Sequence, residues 1–169
     1  MQAIRRFVDA DHAAVRALFV RVNRELAPAH LKDAFELYIA RSLREEIDRI
    51  PAYYGERRGS FWVTSRESGI VGMFGLEPAG EAAAELRRMY VDPDVRRHGV
   101  GRTMLAFAED VARRDECRLM VLSTSELQPA AISLYRNCGY RLVREETVAE
   151  QSNKTIGGGI RRFYFEKEI

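Results

Sequence analysis

Cysteine is scarce in this chain of 169 residues. The two present, Cys117 and Cys138, do not stand at metal-ligand spacing. Their scarcity excludes a disulfide-stapled fold and points to a reducing, cytoplasmic setting. Charge of one sign is also lacking: 27 basic and 25 acidic residues leave a formal net charge of +2, with no basic run of the kind that binds nucleic acid. Only local arginine pairs stand out, at 87–88, 96–97, 113–114 and 161–162, and these suit small anions. No segment reaches the roughly 18 apolar residues needed to cross a membrane, and "MQAIRRFVDADHAAVRALF" lacks the apolar centre of a signal peptide. Internal repeats, low-complexity tracts and Gly-, Ser- or Pro-rich linkers are missing too. Residues 1–169 therefore read as a single soluble domain, 46% hydrophobic and 31% charged, with enough chain for a full core.

The patterns that are present predict a mixed α/β fold. "AIRRFV" reads as a first strand, and Asp9 or Asp11 can cap a helix whose stripe is Val15, Leu18, Phe19, Val22 and Leu26. A second helix carries Phe35, Ile39, Leu43, Ile47 and Ile50 and stops at Pro51. Residues 60–78 form a hairpin about the turn "ESG", and "AELRRMYV" (84–91) is a further strand. Leu86 shares one face of that strand with Arg88 and Tyr90, while Glu85 and Arg87 share the other with Met89 and Val91. Neither face is cleanly apolar, which suits either a central strand passing a polar cleft through a bulge or a central strand with charged ends. A helix with Val100, Met104, Phe107, Ala108 and Val111 on one side follows, then the buried strand "CRLMVLST". A helix from Pro129 to near Gly139 and two closing antiparallel strands complete a sheet of about seven strands with about four helices.

Between strand and helix lies "VDPDVRRHGVGRTML" (91–105), whose two glycines clear the backbone of side chains where a helix begins. A dinucleotide fingerprint would need a small residue at 104, where Met104 stands; a triphosphate loop would need Gly-Lys-Ser/Thr, where Arg102 and Thr103 follow Gly101. Two readings remain. One is a plain strand-to-helix turn, and the other is a nest of backbone N–H groups that binds an anion along the helix dipole.

The motif Arg96-x-x-Gly99-x-Gly101 resembles the Gln/Arg-x-x-Gly-x-Gly/Ala signature of the GCN5-related N-acetyltransferases, and "LQPAAISLYRNCGYRLV" resembles their second block through Ala131, Leu134, Tyr135, Gly139 and Tyr140. Gln128 stands where that family more often has Asn. The resemblance implies the fold of acyl-CoA N-acyltransferases from residue 2 to the end. It also implies acetyl-CoA as co-substrate, its pyrophosphate on the turn formed by Arg96, Arg97, His98, Gly99, Val100, Gly101 and Arg102. The pantetheine arm would lie along Met89, Tyr90 and Val91, with Gln128 and Tyr135 beside it.

The implied chemistry is direct acetyl transfer to a primary amine in a ternary complex, needing neither a metal nor a nucleophilic side chain. An amine with a pKa near about 10 must first lose a proton. Glu85 is the candidate base, through water, with a plain surface carboxylate as the competing reading. Tyr135 stands in the family's position for the acid that protonates the departing thiolate. The acceptor side falls at residues 24–58 and 148–160. There Tyr53, Tyr54, Glu56, Arg57 and Arg58 either line a small-molecule pocket or form an exposed loop, and "SNKTIGGG" is either a lid or a long hairpin loop. The acceptor itself, a small molecule or a protein amine, is not named by the sequence. Homodimerisation is compatible with the resemblance. A non-catalytic acyl-CoA sensor is the competing function, although a sensor needs no proton-transfer groups and the chain carries both Glu85 and Tyr135.

Overall fold

A computed structural model describes residues 2–169. In chain order the elements are β1 (Ala3–Arg6), α1 (His12–Leu26), α2 (Lys32–Glu45), α3 (Ile50–Glu56), β2 (Ser60–Arg66), β3 (Gly69–Pro78), β4 (Ala83–Val91), α4 (Val100–Arg114), β5 (Leu119–Ser125), α5 (Pro129–Asn137), β6 (Arg141–Val148) and β7 (Ile160–Glu168). The strands form one seven-stranded sheet in the order β1-β2-β3-β4-β5-β7-β6. Every pairing is antiparallel except β4 with β5. The mixed α/β fold expected from the sequence is the one observed.

Apolar stripes at helical spacing decide which faces are covered. On one side of the sheet, Val15, Phe19 and Val22 of α1 and Ile39 and Leu43 of α2 pack on Phe61, Val63, Met73 and Tyr90. On the other, Val100, Met104, Ala108 and Val111 of α4 close over Phe74, Leu86, Leu122 and Phe165, with Tyr135 of α5 in the same cluster. Each fully buried side chain of this size contributes about 1.5–3 kcal/mol, so both helical layers are held by several such contacts.

Three local expectations are corrected. The second helix does not run to Pro51: α2 ends at Glu45, Ile47–Arg49 form a 3-10 turn, and Pro51 sits in the first turn of α3. Proline has no N–H to donate and the first turn of a helix asks for none, so it starts a helix here instead of ending one. Asp11 does not cap α1 with its side chain. Its carboxylate takes two hydrogen bonds from Arg5 (2.7 and 2.8 Å) and one from the Val8 N–H (3.0 Å). The Arg5 bonds in particular hold its pKa below the usual carboxylate range.

The third correction concerns which side chains share a face of β4; the bulge expected in that strand is present. Gly75 pairs with Arg87 and Met73 with Tyr90, so β4 carries one residue more than β3 over this span. The extra residue forms a bulge with Arg88 at φ 52. The simple alternation therefore fails: Arg87, Arg88 and Tyr90 all lie toward α1–α3, while Met89 and Val91 pack on the other side with Leu86.

Candidate active site

The parallel pairing of β4 with β5 runs only from Ala83↔Leu119 to Leu86↔Leu122. Beyond it β5 pairs with β7 through Ser123–Ser125, while β4 continues beside β3 alone. The sheet is split open there, and the backbone of residues 87–91 has no strand on its β5 side. A free strand edge is a template for an extended ligand.

At the outer end of this split lies the glycine turn. The first helical bond of α4 runs from the Thr103 N–H to the Gly99 carbonyl at 3.0 Å. The N–H groups of Arg97 through Arg102 bond to no other described residue. Six unclaimed donors at the N-terminus of a 15-residue helix form the anion-binding reading of the turn, since an exposed N-terminus carries positive potential. Gly99 is required by conformation, with φ 76 and nothing near a built Cβ. At Gly101 space is tight instead: a Cβ would meet Leu134 Cδ2 at 3.2 Å, and that side chain would have to give way by a few tenths of an ångström.

From the turn an apolar groove runs inward between α1, β4, α4 and α5. Arg96, Arg97, Gly99, Val100, Gly101 and Arg102 line its outer end, and Met89, Tyr90, Val91, Gln128 and Tyr135 its inner end. His98 alone of the expected set is not in the lining; its Nδ1 turns back to the carbonyl of Arg96 at 2.9 Å. Tyr135 is buried, and burial pushes its phenol pKa up to about 12, although the charge of Arg162 opposes the shift. Its hydroxyl bonds to no other described residue.

Tyr135 also lines a second cleft, on the α1–α3 side of the split, together with Glu85, Arg87, Arg88, Ser123, Ser125, Lys154 and Arg162. The two candidate proton-transfer groups therefore face one space. Glu85 Oε2 accepts from Lys154 Nζ at 3.0 Å. Lys154 belongs to the segment 149–159 between β6 and β7, which reaches across the cleft as a strap. The Gln151 carbonyl accepts from Arg41 at 3.0 Å, and the Asn153 carbonyl accepts from Arg88. This segment is thus more than a hairpin loop. Residues 53–54 are no exposed loop either: Tyr53 and Tyr54 of α3 are buried in the core.

Sequence reasoning missed the polar centre beneath this cleft. Glu46 is fully buried, and its Oε2 accepts from Arg88 Nε (3.1 Å), Arg88 Nη2 (2.8 Å) and Arg87 Nη2 (3.1 Å). Its Oε1 accepts from the Tyr54 hydroxyl at 2.7 Å. Arg87 also donates to Glu77 and to the Tyr53 hydroxyl, and Arg88 to the Tyr38 hydroxyl at 2.6 Å. Burial raises the pKa of Glu46, but the two arginines outweigh it and keep the carboxylate ionised below its ordinary range. The adjacent arginines in mid-strand were the available signal. Glu46, one acidic residue in the run "REE" at a helix end, carried none.

The family model described as Acetyltransferase (GNAT) family matches residues 23–140. A "Probable N-acetyltransferase 14" from Xenopus tropicalis is 38% identical over 99 residues, covering 57% of this chain and 48% of that protein. The chain thus spans about half the length of the curated relatives it matches. Among solved structures, a ribosomal-protein-alanine N-acetyltransferase from Brucella melitensis superposes with a TM-score of 0.74 at 19% identity, over 99% of both chains. The PaiA N-acetyltransferase from Thermoplasma acidophilum, in complex with coenzyme A, gives 0.74 at 17% identity, over 100% of this chain and 99% of that one.

Proposed function

Because the chain belongs to the acetyltransferase (GNAT) family, we propose that it is an acetyl-CoA-dependent N-acetyltransferase, a single domain that transfers the acetyl group directly to a primary amine. One observation carries this: a nest of six free backbone donors at 97–102 is joined by an apolar groove and an unpaired strand edge to the unbonded Tyr135 hydroxyl. The donor set fits a pyrophosphate followed by a pantetheine arm, an anion attached to a chain that pairs as a strand. Residues 97–102 would hold the phosphates, with Arg96, Arg97 and Arg102 adding screened attraction. Met89, Tyr90, Val91 and Gln128 would hold the arm.

Bound acetyl-CoA supplies the activated acyl group. The remaining work falls to side chains of the second cleft. Tyr135 Oη, with its pKa near 12, keeps its proton throughout the neutral range and donates it to the departing thiolate, which leaves as the thiol. Glu85 faces the same space and takes the proton of the incoming amine, through water. A backbone N–H of the bulged stretch 89–91 is the candidate donor to the carbonyl oxygen.

The test compares thermal melts with acetyl-CoA, CoA, NAD and ATP, followed by thiol release with a panel of amines. Ligand near 100 times its dissociation constant adds about 2.7 kcal/mol, which raises the melting temperature of a domain this size by roughly 5–10 °C. The expected result is a shift with acetyl-CoA and CoA only. A larger shift with NAD or ATP would sink the proposal.

A further inference from the structure

The acceptor cleft contains one cation that no carboxylate answers. Of the four basic side chains lining it, Arg87 is paired with Glu46 and Glu77, Arg88 with Glu46, and Lys154 with Glu85. Arg162, on β7, has no carboxylate partner among the described residues. It donates only to Ser123, from Nε to Oγ at 3.0 Å and from Nη2 to the carbonyl at 3.5 Å. These bonds draw the side chain back along β5 toward the split in the sheet. They leave Nη1 and one hydrogen of Nη2 free, the end of the guanidinium fork that matches a carboxylate.

What surrounds this free end is donor-rich. Ser125 pairs directly with Arg162 across the β5–β7 ladder, so both side chains stand on the same face. The Ser125 Oγ accepts from the Leu127 N–H at 3.3 Å, which leaves its own hydrogen to donate. The neighbouring Glu146, opposite Arg162 on β6, is instead held by Arg144 at 2.8 Å. At the other end of the same face Glu85 pairs in register with Val121, two residues before Ser123. The cleft thus presents a carboxylate at one end and an unanswered guanidinium with a hydroxyl donor at the other.

We infer that the acceptor is a small amine carrying its own carboxylate, an α-amino acid or close analogue, with the carboxylate held by Arg162 and Ser125 and the amine toward Glu85 and Tyr135. This rests on the acetyltransferase proposed above and names the substrate class of its second cleft. Polyamines are disfavoured by the same cation, and a protein N-terminus offers no carboxylate next to its amine.

The experiment measures thiol release from acetyl-CoA with each common α-amino acid and with the matching carboxamide, which keeps the amine and removes the charge. For the preferred side chain, the acid should exceed its amide in kcat/KM by about tenfold to a hundredfold, the range for a hydrogen bond to a charged group. In the Arg162→Met variant that ratio should fall toward one, and Arg162→Lys should restore part of it. An arginine that merely stabilised the fold, or acted on Tyr135, would lower acid and amide together and leave the ratio intact, which would overturn the inference. Acid and amide used alike by the unaltered protein, or no turnover of any amino acid, would overturn it as well. The acetyl-CoA melt separates the two failures: a retained shift leaves the acetyltransferase proposal standing, and a lost one removes both.

Discussion

Tyr135 is a buried phenol whose hydroxyl has no described protein partner, although it lines two clefts at once. The ring is buried, but the hydroxyl is not a buried orphan: it opens onto the cleft it shares with Glu85, where it can donate to a bound ligand. Tyr135→Phe should therefore fold and bind acetyl-CoA as before, with an undiminished melting shift. Its turnover should fall by about 10²–10⁴-fold, the usual worth of a positioned proton donor. Equal turnover in the variant would remove Tyr135 from the chemistry. Glycine matters at two neighbouring positions for different reasons: Gly99 supplies a left-handed φ and Gly101 supplies room against Leu134.

At the scale of elements, the start of α4 and the paired half of β4 do opposite things to their backbones. The turn before α4 leaves donors open to solvent, whereas the paired half of β4 is locked between β3 and β5. Amide hydrogen exchange should display this contrast. Residues 97–102 should exchange fast in the free protein and slow markedly on adding acetyl-CoA, while Ala84–Leu86 should be protected in both states. Failure of 97–102 to slow, with ligand bound, would place the phosphates elsewhere. The bulge is itself costly, since Arg88 lies at a positive φ that disfavours a side-chain-bearing residue by roughly 1–2 kcal/mol. Its contacts with Glu46, Tyr38 and the Asn153 carbonyl hold it there.

For the molecule as a whole, the Glu46 cluster ties α2, α3, β3, β4 and the strap over the cleft into one unit. Glu46→Gln would leave Arg87 with Glu77 alone and Arg88 with no carboxylate, a loss of about 3–5 kcal/mol. Melting should drop by roughly 6–20 °C in a chain of this size. The pH dependence follows from the lowered pKa of Glu46. Its stabilisation is complete above the unfolded carboxylate value of about 4.3 and drains away as pH falls through the lower folded value. Melts followed from neutral pH down to about pH 3 should show a steep acid fall in the unaltered protein and a shallower one in Glu46→Gln, which has no such proton to gain. Equal slopes would mean that Glu46 does not govern acid stability.

The chain's local chemistry accounts for the helices, the hairpin of residues 60–78 and the turn at 96–101, whereas the expectation for Tyr135 rests on the resemblance of its motif. Each of those local features depends on residues a few positions apart: apolar side chains every third or fourth residue, glycine where φ must be positive, proline beside a helix end. The same logic failed wherever the deciding partner was distant. Pro51 starts a helix because Tyr53 and Tyr54 have a core to enter. The faces of β4 shift because Arg87 and Arg88 both turn toward Glu46, some forty residues away in sequence. Arg162 resembled any other arginine in a basic pair until the sheet split open and every neighbouring carboxylate proved to be taken. Backbone conformation and burial stripes are written locally, whereas the pairing of charges across a cleft depends on which strands separate and which remain joined.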